Sequence, residues 1–403
     1  MKTGFAEILK REEERRAKKA EAKLPTLGAR LEIPTSLALE QCSSELTAAY
    51  KAEVARRWLS LSPDGEAPSL RKNLGIVAQE PTPPSDCRPA IADLTGGLGI
   101  DCLAFASCFG RVLYNDRNPQ LCEAAARNFK AAGADNIAVC HFSIDAADTA
   151  EWTAAVKAFA PDLLYLDPAR RNASGAKVFR LQDCSPDIDA LLPQLLELCP
   201  RILLKLSPMA DLSALLEWGG GRVQELHIVE KEGECKELLL LLDASRRSEE
   251  PLIRAVVPGT EDVFDFRPSE ERSATGQQAS GDFPFLFEPG PALMKAGAFK
   301  LLCRRYPLSA LSPSVHLYAS GAIVTALSPL GKWYAVEGVL PFGKEGFKAA
   351  GNRYPQAEVS ARGLPMRSEE LRRRCGCSGA GPQHLFGVQT PSGRKLILCH
   401  KTK

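Results

Sequence analysis

Carboxylates recur in this chain at the ends of short apolar runs. Asp93 closes AIAD, Asp116 closes RVLYND, Asp145 follows IAVCHFSI, and Asp167 closes DLLYLD. Runs of this length and composition read as strands buried on both faces, and parallel strands would collect all four acids on one edge of a sheet. That carboxyl edge is where doubly wound sheets bind ligands. Carboxylates gathered there can accept hydrogen bonds from an ammonium, from paired ribose hydroxyls or from an exocyclic amine. For any one of them taken singly, helix capping is the alternative reading.

The first acid opens DLTGGLGID, an Asp-x-x-x-Gly-x-Gly spacing formed by Asp93, Gly97 and Gly99, with Thr95 and Gly96 between them. A dinucleotide loop needs a third glycine where Cys102 stands, and a phosphate loop needs Gly-Lys-Ser/Thr, which does not follow. Glycines let backbone approach a ligand closely. Asp93 would repel a pyrophosphate but accept from the ammonium of S-adenosylmethionine. On this reading Asp93, Thr95, Gly96, Gly97 and Gly99 hold the methionine end. Asp116 takes the ribose hydroxyls and Asp145 the adenine amino group. The dipeptide Asp167-Pro168 then faces a methyl acceptor, with Asp167 and the Pro168 carbonyl accepting N–H bonds from an exocyclic amine; an ordinary strand-ending turn is the alternative. Arg170 and Arg171 clamp a phosphate or stack on a base, or else pair with Asp183, Asp187 or Asp189. Lys205, near the end of RILLKL, contacts phosphate or reaches solvent.

The elements that must carry these residues follow from periodicity. Residues 1–23 are rich in Glu, Lys, Arg and Ala and suit a solvated helix or arm. The segment 34–61 reads as helix after the Ser43-Ser44 pair, with Leu46, Ala49, Tyr50, Val54 and Trp58 on one buried face. A stiff linker, PTPPSDC at 81–87, ends this region. Strand-like runs then alternate with helices: AIADL, RVLYND, IAVCHF, DLLYLD and RILLKL. VQELHIVE and KELLLLLD are separated only by KEGEC, which forces an antiparallel hairpin. The expected fold is therefore α/β, a Rossmann-like sheet closed by that hairpin, as in methyltransferases rather than dehydrogenases. Beyond Ser245 a small α+β region is expected, with 268–282 as a polar loop. The segment 343–403 has 12 Lys/Arg against 4 Glu, a balance of 12 − 4 = +8.

The whole chain of 403 residues carries a net charge of only +2, so any nucleic-acid signal must be local. No secretory or membrane-spanning segment is read, and a cytoplasmic setting is expected. The 13 cysteines are scattered. Cys375, Cys377, His384, Cys399 and His400 approach a cluster, but CxC is poor zinc spacing, so reduced thiols and no metal are expected. Cys184 raises a thiolate attack on a pyrimidine, yet LQDCSPD offers no activating His or Lys. His141, His227 and His316 stand in apolar runs and read as core residues.

DLTGGLGID, the Asp116-Arg117-Asn118-Pro119 turn and YLDPARR together resemble the class I S-adenosylmethionine-dependent methyltransferases over about 85–243. YLDPARR is similar to the Asp-Pro-Pro-Tyr box of base-amine methylases, with Ala169 in place of the second proline and Arg170 in place of the aromatic. The combination with EQCSSELTAAYKA, YPQAEV and HLFGVQTPSGRKLIL resembles bacterial methyltransferases with a C-terminal THUMP-like domain. The resemblance implies a helical region at 1–84, a methyltransferase domain at 85–245, a ferredoxin-like piece at 246–330 and a basic THUMP-like domain at 331–403. It further implies S-adenosyl-L-methionine as cofactor and structured RNA, tRNA or rRNA, as partner. A protein or small-molecule acceptor, and a non-catalytic RNA-binding shell, are the rival readings.

Overall fold

The structure, a computed structural model, describes residues 2–60, 88–170, 181–379 and 381–402, and the side chains of 2–10, Arg170 and Asp183 are left aside. The 81–87 linker and Arg171 lie outside the described residues. The chain forms two compact units, one of residues 1–227 with 236–251 and one of 228–235 with 252–403.

The first unit begins with α1 (Lys2–Lys23), α2 (Ser36–Gln41) and α3 (Glu45–Ser60). From Arg11 to Lys19 helix α1 is largely exposed, as its charge requires, and then Ala20, with Leu24 just beyond the helix, packs against Leu39 and Ala48. Thr35 caps α2 through Ala38 N, and Ser44 Oγ accepts from Thr47 N at 3.3 Å to start α3. The apolar face expected for α3 is rotated. Leu46 is 41% exposed and Ala49 is exposed, while Lys51 and Arg57 turn inward with Ala48, Ala52, Val54, Ala55 and Trp58. Buried carboxylates opposite these two cations explain the rotation, as described below.

Strands and helices then alternate as β1 (Ala90–Asp93), α4 (Ile100–Cys108), β2 (Arg111–Asn115), α5 (Pro119–Ala131), β3 (Ile137–Cys140), α6 (Ala150–Phe159) and β4 (Leu163–Leu166). A short pair, β5 (Ala169–Arg170) and β6 (Cys184–Ser185), precedes α7 (Ile188–Leu198), β7 (Arg201–Leu206) and α8 (Leu212–Gly219). The hairpin β8 (Val223–Lys231) and β9 (Glu234–Asp243) follows. Its turn residues Glu232 and Gly233 have φ of 56° and 74°, the left-handed pair that a two-residue hairpin loop demands. The order β8-β9-β7-β4-β1-β2-β3 is parallel from β7 to β3 and antiparallel where β9 joins β7. The central strands are buried on both faces as expected, but β3 is an edge strand and leaves Val139 36% exposed. The ladder sets Asp93 level with Tyr114 and Tyr165, so β1, β2 and β4 release their chains at one edge.

The second unit adds β10 (Leu252–Val256), β11 (Val263–Phe266), α9 (Pro268–Ser273), β12 (Phe285–Pro289), α10 (Pro291–Ala296), α11 (Phe299–Arg305), β13 (Leu308–Ser312), β14 (Val315–Ser320), β15 (Gly331–Pro341), α12 (Lys344–Arg353), β16 (Glu358–Arg362), α13 (Ser368–Cys375), β17 (Gln383–Thr390) and β18 (Gly393–Lys401). The polar stretch expected as a loop at 268–282 begins as helix α9. Glu270 accepts from the backbone of Arg267 at 2.7 Å, and Gln278 bridges Ala310. One sheet of order β13-β14-β12-β15-β18-β17-β16 carries residues from both the 246–330 and the 331–403 segments. Alternation along β17 and β18 sends Phe386, Ile397 and Cys399 to one face and Leu385, Leu396 and Leu398 to the other, under α12 and α13.

Candidate active site

The glycine loop leaves β1 and is stapled to its neighbours. Gly96 N donates to Asn115 O at 2.7 Å, and Leu94 N donates to Tyr165 O at 3.0 Å. Asp116 Oδ2 accepts from Gly97 N at 2.9 Å, while its Oδ1 accepts from Asn118 N at 2.8 Å. Asn115, buried at the end of β2, bonds Leu94 O and both backbone groups of Phe142, so three strand ends are tied through one amide. Thr95 Oγ1 accepts from Asp167 N at 2.6 Å and joins the ends of β1 and β4.

The glycines have different reasons. A Cβ on Gly96 would lie 2.2 Å from the Tyr114 ring, and one on Gly99 would lie 2.6 Å from the Phe129 ring, so both are set by packing. Gly97, with φ of +54°, has open space where a Cβ would stand. Gly97 is thus the glycine of the loop whose retention packing does not explain, and its bare backbone is open to a ligand.

These residues border a cleft of about 760 Å³, within the usual range for small-molecule sites. Thr95, Gly96, Gly97, Gly99, Asp116, Asp167, Pro168 and Lys205 all line it. Asp93 and Asp145 do not. The Asp93 carboxylate is 1% exposed beneath the loop, where it accepts from Thr95 N at 2.9 Å and from the Cys102 thiol at 3.3 Å. Burial pushes its pKa up to about 8. Asp93 is thus a support for the loop rather than a partner for an ammonium. Asp145 is exposed and folds back on its own turn, accepting from Ala147 N at 2.8 Å, and Phe142, Ser143 and Ile144 line the cleft instead.

Lys205 neither reaches solvent nor waits for phosphate, because its ammonium pairs with Asp167 Oδ2. Burial opposes its charge, but Asp167, Glu237 and Asp101 outweigh that and hold the ammonium well above its usual range. Asp167 lines the cleft with its side chain 30% exposed, and among the described residues the hydrogen bond its carboxylate accepts reaches Oδ2. Arg170 has its side chain, and Arg171 its whole residue, outside the description. Of their candidate partners, Asp187 caps α7 and Asp189 accepts from Gln182 and Trp218, while the Asp183 side chain lies outside the description as well.

Three groups escaped the sequence reading. Residues 35–43, excepting Ser36 and Leu39, line the cleft from the N-terminal segment. Asp101, the last letter of DLTGGLGID, lines it too and accepts from Tyr165 and Ser43 hydroxyls at 2.9 Å each. Lys51, fully buried, lies 3.1 Å from Asp101 and 3.2 Å from Glu237. Burial would raise the Asp101 pKa, but Lys51, Lys205 and the Tyr165 bond bring it below the ordinary value, so the carboxylate is kept ionised. Hydropathy alone could not find Lys51, whose helix looks amphipathic without it. A second buried pair, Arg57 with Glu225 at 2.6 Å, continues to His227 and the Tyr50 hydroxyl.

The remaining candidates separate. Cys184 is completely buried, which removes it as a nucleophile on a base. His227 is a core histidine as expected and His316 stacks on Phe299, whereas His141 is exposed beyond β3 and corrects the core reading. Cys375 and Cys377 sit under α12 and α13, while Cys399 belongs to the cluster on the opposite sheet face. Among the described residues each cysteine is free, and no group of three or more His, Cys, Asp or Glu is placed to hold a metal ion. Among them, too, no helix is long and apolar enough to cross a membrane.

Comparison with known proteins places this geometry. A ferredoxin-like domain model matches residues 285–327, and a THUMP domain-like model matches 331–401. A solved structure from Porphyromonas gingivalis W83, assigned as a methyltransferase, shares 32% identity at a TM-score of 0.78, covering 96% of this chain and 88% of that one. TrmN from Thermus thermophilus matches at 20% identity and a TM-score of 0.29, over 40% of this chain and 46% of that one. A human methyltransferase 10 domain containing protein matches at 14% identity and a TM-score of 0.35, over 57% and 94%. No curated protein matches the sequence.

Proposed function

Because the chain belongs to the class I methyltransferases that carry a C-terminal THUMP-like domain, we propose that it methylates a base in structured RNA, tRNA or rRNA, in the cytoplasm, with S-adenosyl-L-methionine as donor. The observation that carries this reading is one cleft lined at once by the open backbone of Gly97, the Asp116 carboxylate and the Asp167–Lys205 pair. Bound there, S-adenosylmethionine would supply an electrophilic methyl group on a sulfonium.

The chain's own residues do the rest. Gly97 and Thr95 shape the loop, Asp116 would accept from a pair of ribose hydroxyls, and Ser143 and Ile144, which line the cleft where Asp145 does not, would border the adenine. Methyl transfer is an in-line displacement that depends on positioning and charge. Lys205 fixes the Asp167 carboxylate through Oδ2, and Thr95 fixes its backbone, leaving Oδ1 to accept an N–H of the acceptor amine. Asp167, or water reaching the cleft, would then take the proton that the acceptor nitrogen sheds on methylation. The +8 balance of 343–403 supports RNA as partner, since phosphate contacts by Lys and Arg dominate such binding.

The test is incubation with methyl-tritiated S-adenosylmethionine and total RNA from a strain lacking the gene, with DNA, protein and metabolite fractions alongside. Label in RNA that is lost in Asp167→Ala is the expected result. Label in another fraction would replace the acceptor, and RNA label undiminished by Asp167→Ala would remove Asp167 from the chemistry.

A further inference from the structure

We propose that Lys51 is a positioning residue for the cleft, acting with Ser43 as a buried latch that holds the N-terminal wall against the glycine-loop helix. The inference rests on the assignment of the cleft to an adenosyl ligand. Lys51 projects from α3, yet its ammonium donates to Ser43 Oγ at 2.8 Å and to Glu237 of β9 at 3.2 Å. Ser43 in turn donates to Asp101 Oδ2 at 2.9 Å. Asp101 is in the first turn of α4, immediately after the loop, and Lys51 lies 3.1 Å from its Oδ1 without a well-aligned hydrogen bond. Ser43 ends the run of residues that forms one side of the cleft. The latch therefore meets the wall, the loop helix and the hairpin at one buried point.

Charge explains why a lysine is retained where packing alone would take a leucine. Asp101 and Glu237 both feel the charge of two ammonium groups, Lys51 in direct contact and Lys205 nearby, and Lys205 holds Asp167. Removing Lys51 leaves two buried carboxylates facing one remaining cation, and a buried charge that loses its partner relaxes toward water. The wall at 35–43 is held by side-chain contacts rather than by sheet hydrogen bonds, because it contributes a short helix and its connections rather than a strand. Its displacement would open the cleft while the parallel sheet stays intact.

Three full-length variants, Lys51→Met, Lys51→Arg and Ser43→Ala, would be titrated with S-adenosylhomocysteine by calorimetry and followed by backbone hydrogen exchange. Ser43→Ala is the gentler probe, since it deletes one hydroxyl and keeps both ion contacts. The expected result is a dissociation constant raised about tenfold or more in Lys51→Met and several-fold in Ser43→Ala. Exchange should rise in 35–43 but not in β1 or β4, and Lys51→Arg should recover part of the affinity. Unchanged affinity in both Lys51→Met and Ser43→Ala would overturn the latch. So would a loss matched by faster exchange across the whole sheet, which marks a merely structural residue. Failure of the unaltered chain to bind S-adenosylhomocysteine would instead overturn the cleft assignment, and with it this inference.

Discussion

Alanine substitutions at Gly96, Gly97 and Gly99 should separate glycines needed for packing from the one facing a ligand. Gly97→Ala forces an alanine to φ of +54°, in the left-handed region, with no steric neighbour for the new methyl. The conformational penalty is about 1–2 kcal/mol, and the stiffer unfolded chain returns ~0.4–1 kcal/mol. Gly99→Ala meets a similar backbone penalty at φ of +81°, and its methyl would also lie 2.6 Å from the buried Phe129 ring. Overpacking of that kind adds roughly 1–3 kcal/mol. Gly96→Ala carries only the overpacking, but at 2.2 Å from Tyr114, whose hydroxyl is anchored on Gly97 O at 2.6 Å. Urea unfolding should therefore rank Gly99→Ala as most destabilised and Gly97→Ala as least, with a net loss of about 1 kcal/mol. S-adenosylhomocysteine affinity should show a different pattern, with Gly97→Ala losing binding out of proportion to its small loss of stability. A Gly97→Ala protein as unstable as Gly99→Ala would refute the packing argument. Undiminished affinity in Gly97→Ala would refute the close approach.

Asp93 gives a pH signature. Its folded pKa of about 8 lies far above the ordinary carboxyl value, so between those pH values the folded state binds more protons than the unfolded one, and stability contributed by this group falls as pH rises. Asp93→Asn should accordingly gain in melting temperature relative to the unaltered chain as pH goes from about 4 to about 8; a constant difference across that range would mean the carboxyl is not perturbed. Lys205→Met should lower the methyl-transfer rate more than donor affinity, measured by comparing turnover with S-adenosylhomocysteine binding, because it releases Asp167 without touching Gly97 or Asp116. Cys184→Ala should keep its turnover, and loss of transfer in a folded protein would revive the thiolate route. Arg367→Ala and Arg373→Ala should each reduce the salt dependence of RNA binding by about one unit of log–log slope, and an unchanged slope in both would move the RNA contact away from α13.

The strands of the first unit were legible because parallel strands between helices are apolar throughout, and no other element writes that pattern at such length. The hairpin was legible from the short KEGEC connection. The site was legible where the chain itself bends at a strand end, as at Asp116 and Asp167. It misled where a carboxylate's direction depends on packing. Asp93 turns under its loop because Cys102 and Thr95 N offer donors there, and nothing in DLTGGLGID records that choice. Lys51 and Arg57 were unreadable for a related reason. Hydropathy assigns a cation to water, and only the tertiary positions of Asp101, Glu237 and Glu225 reverse the preference. The same reversal put Leu46 outside. Helix α9 was missed because six residues with no buried side chain leave no periodic trace, and its hold comes from capping and from Glu270 pairing with Arg305.

The seven-stranded sheet of the second unit has a bearing on protein engineering. Strand β12, in the ferredoxin-like part, is hydrogen-bonded to β15, in the THUMP-like part, along five paired positions from Phe285↔Ala335 to Pro289↔Gly331. A deletion that stopped at Leu330 would therefore not release a module. It would strip one side of β12 and leave a row of open backbone donors and acceptors, the template on which chains aggregate. The two parts share one hydrogen-bonded sheet, so a hybrid enzyme built from this chain should take its junction outside it.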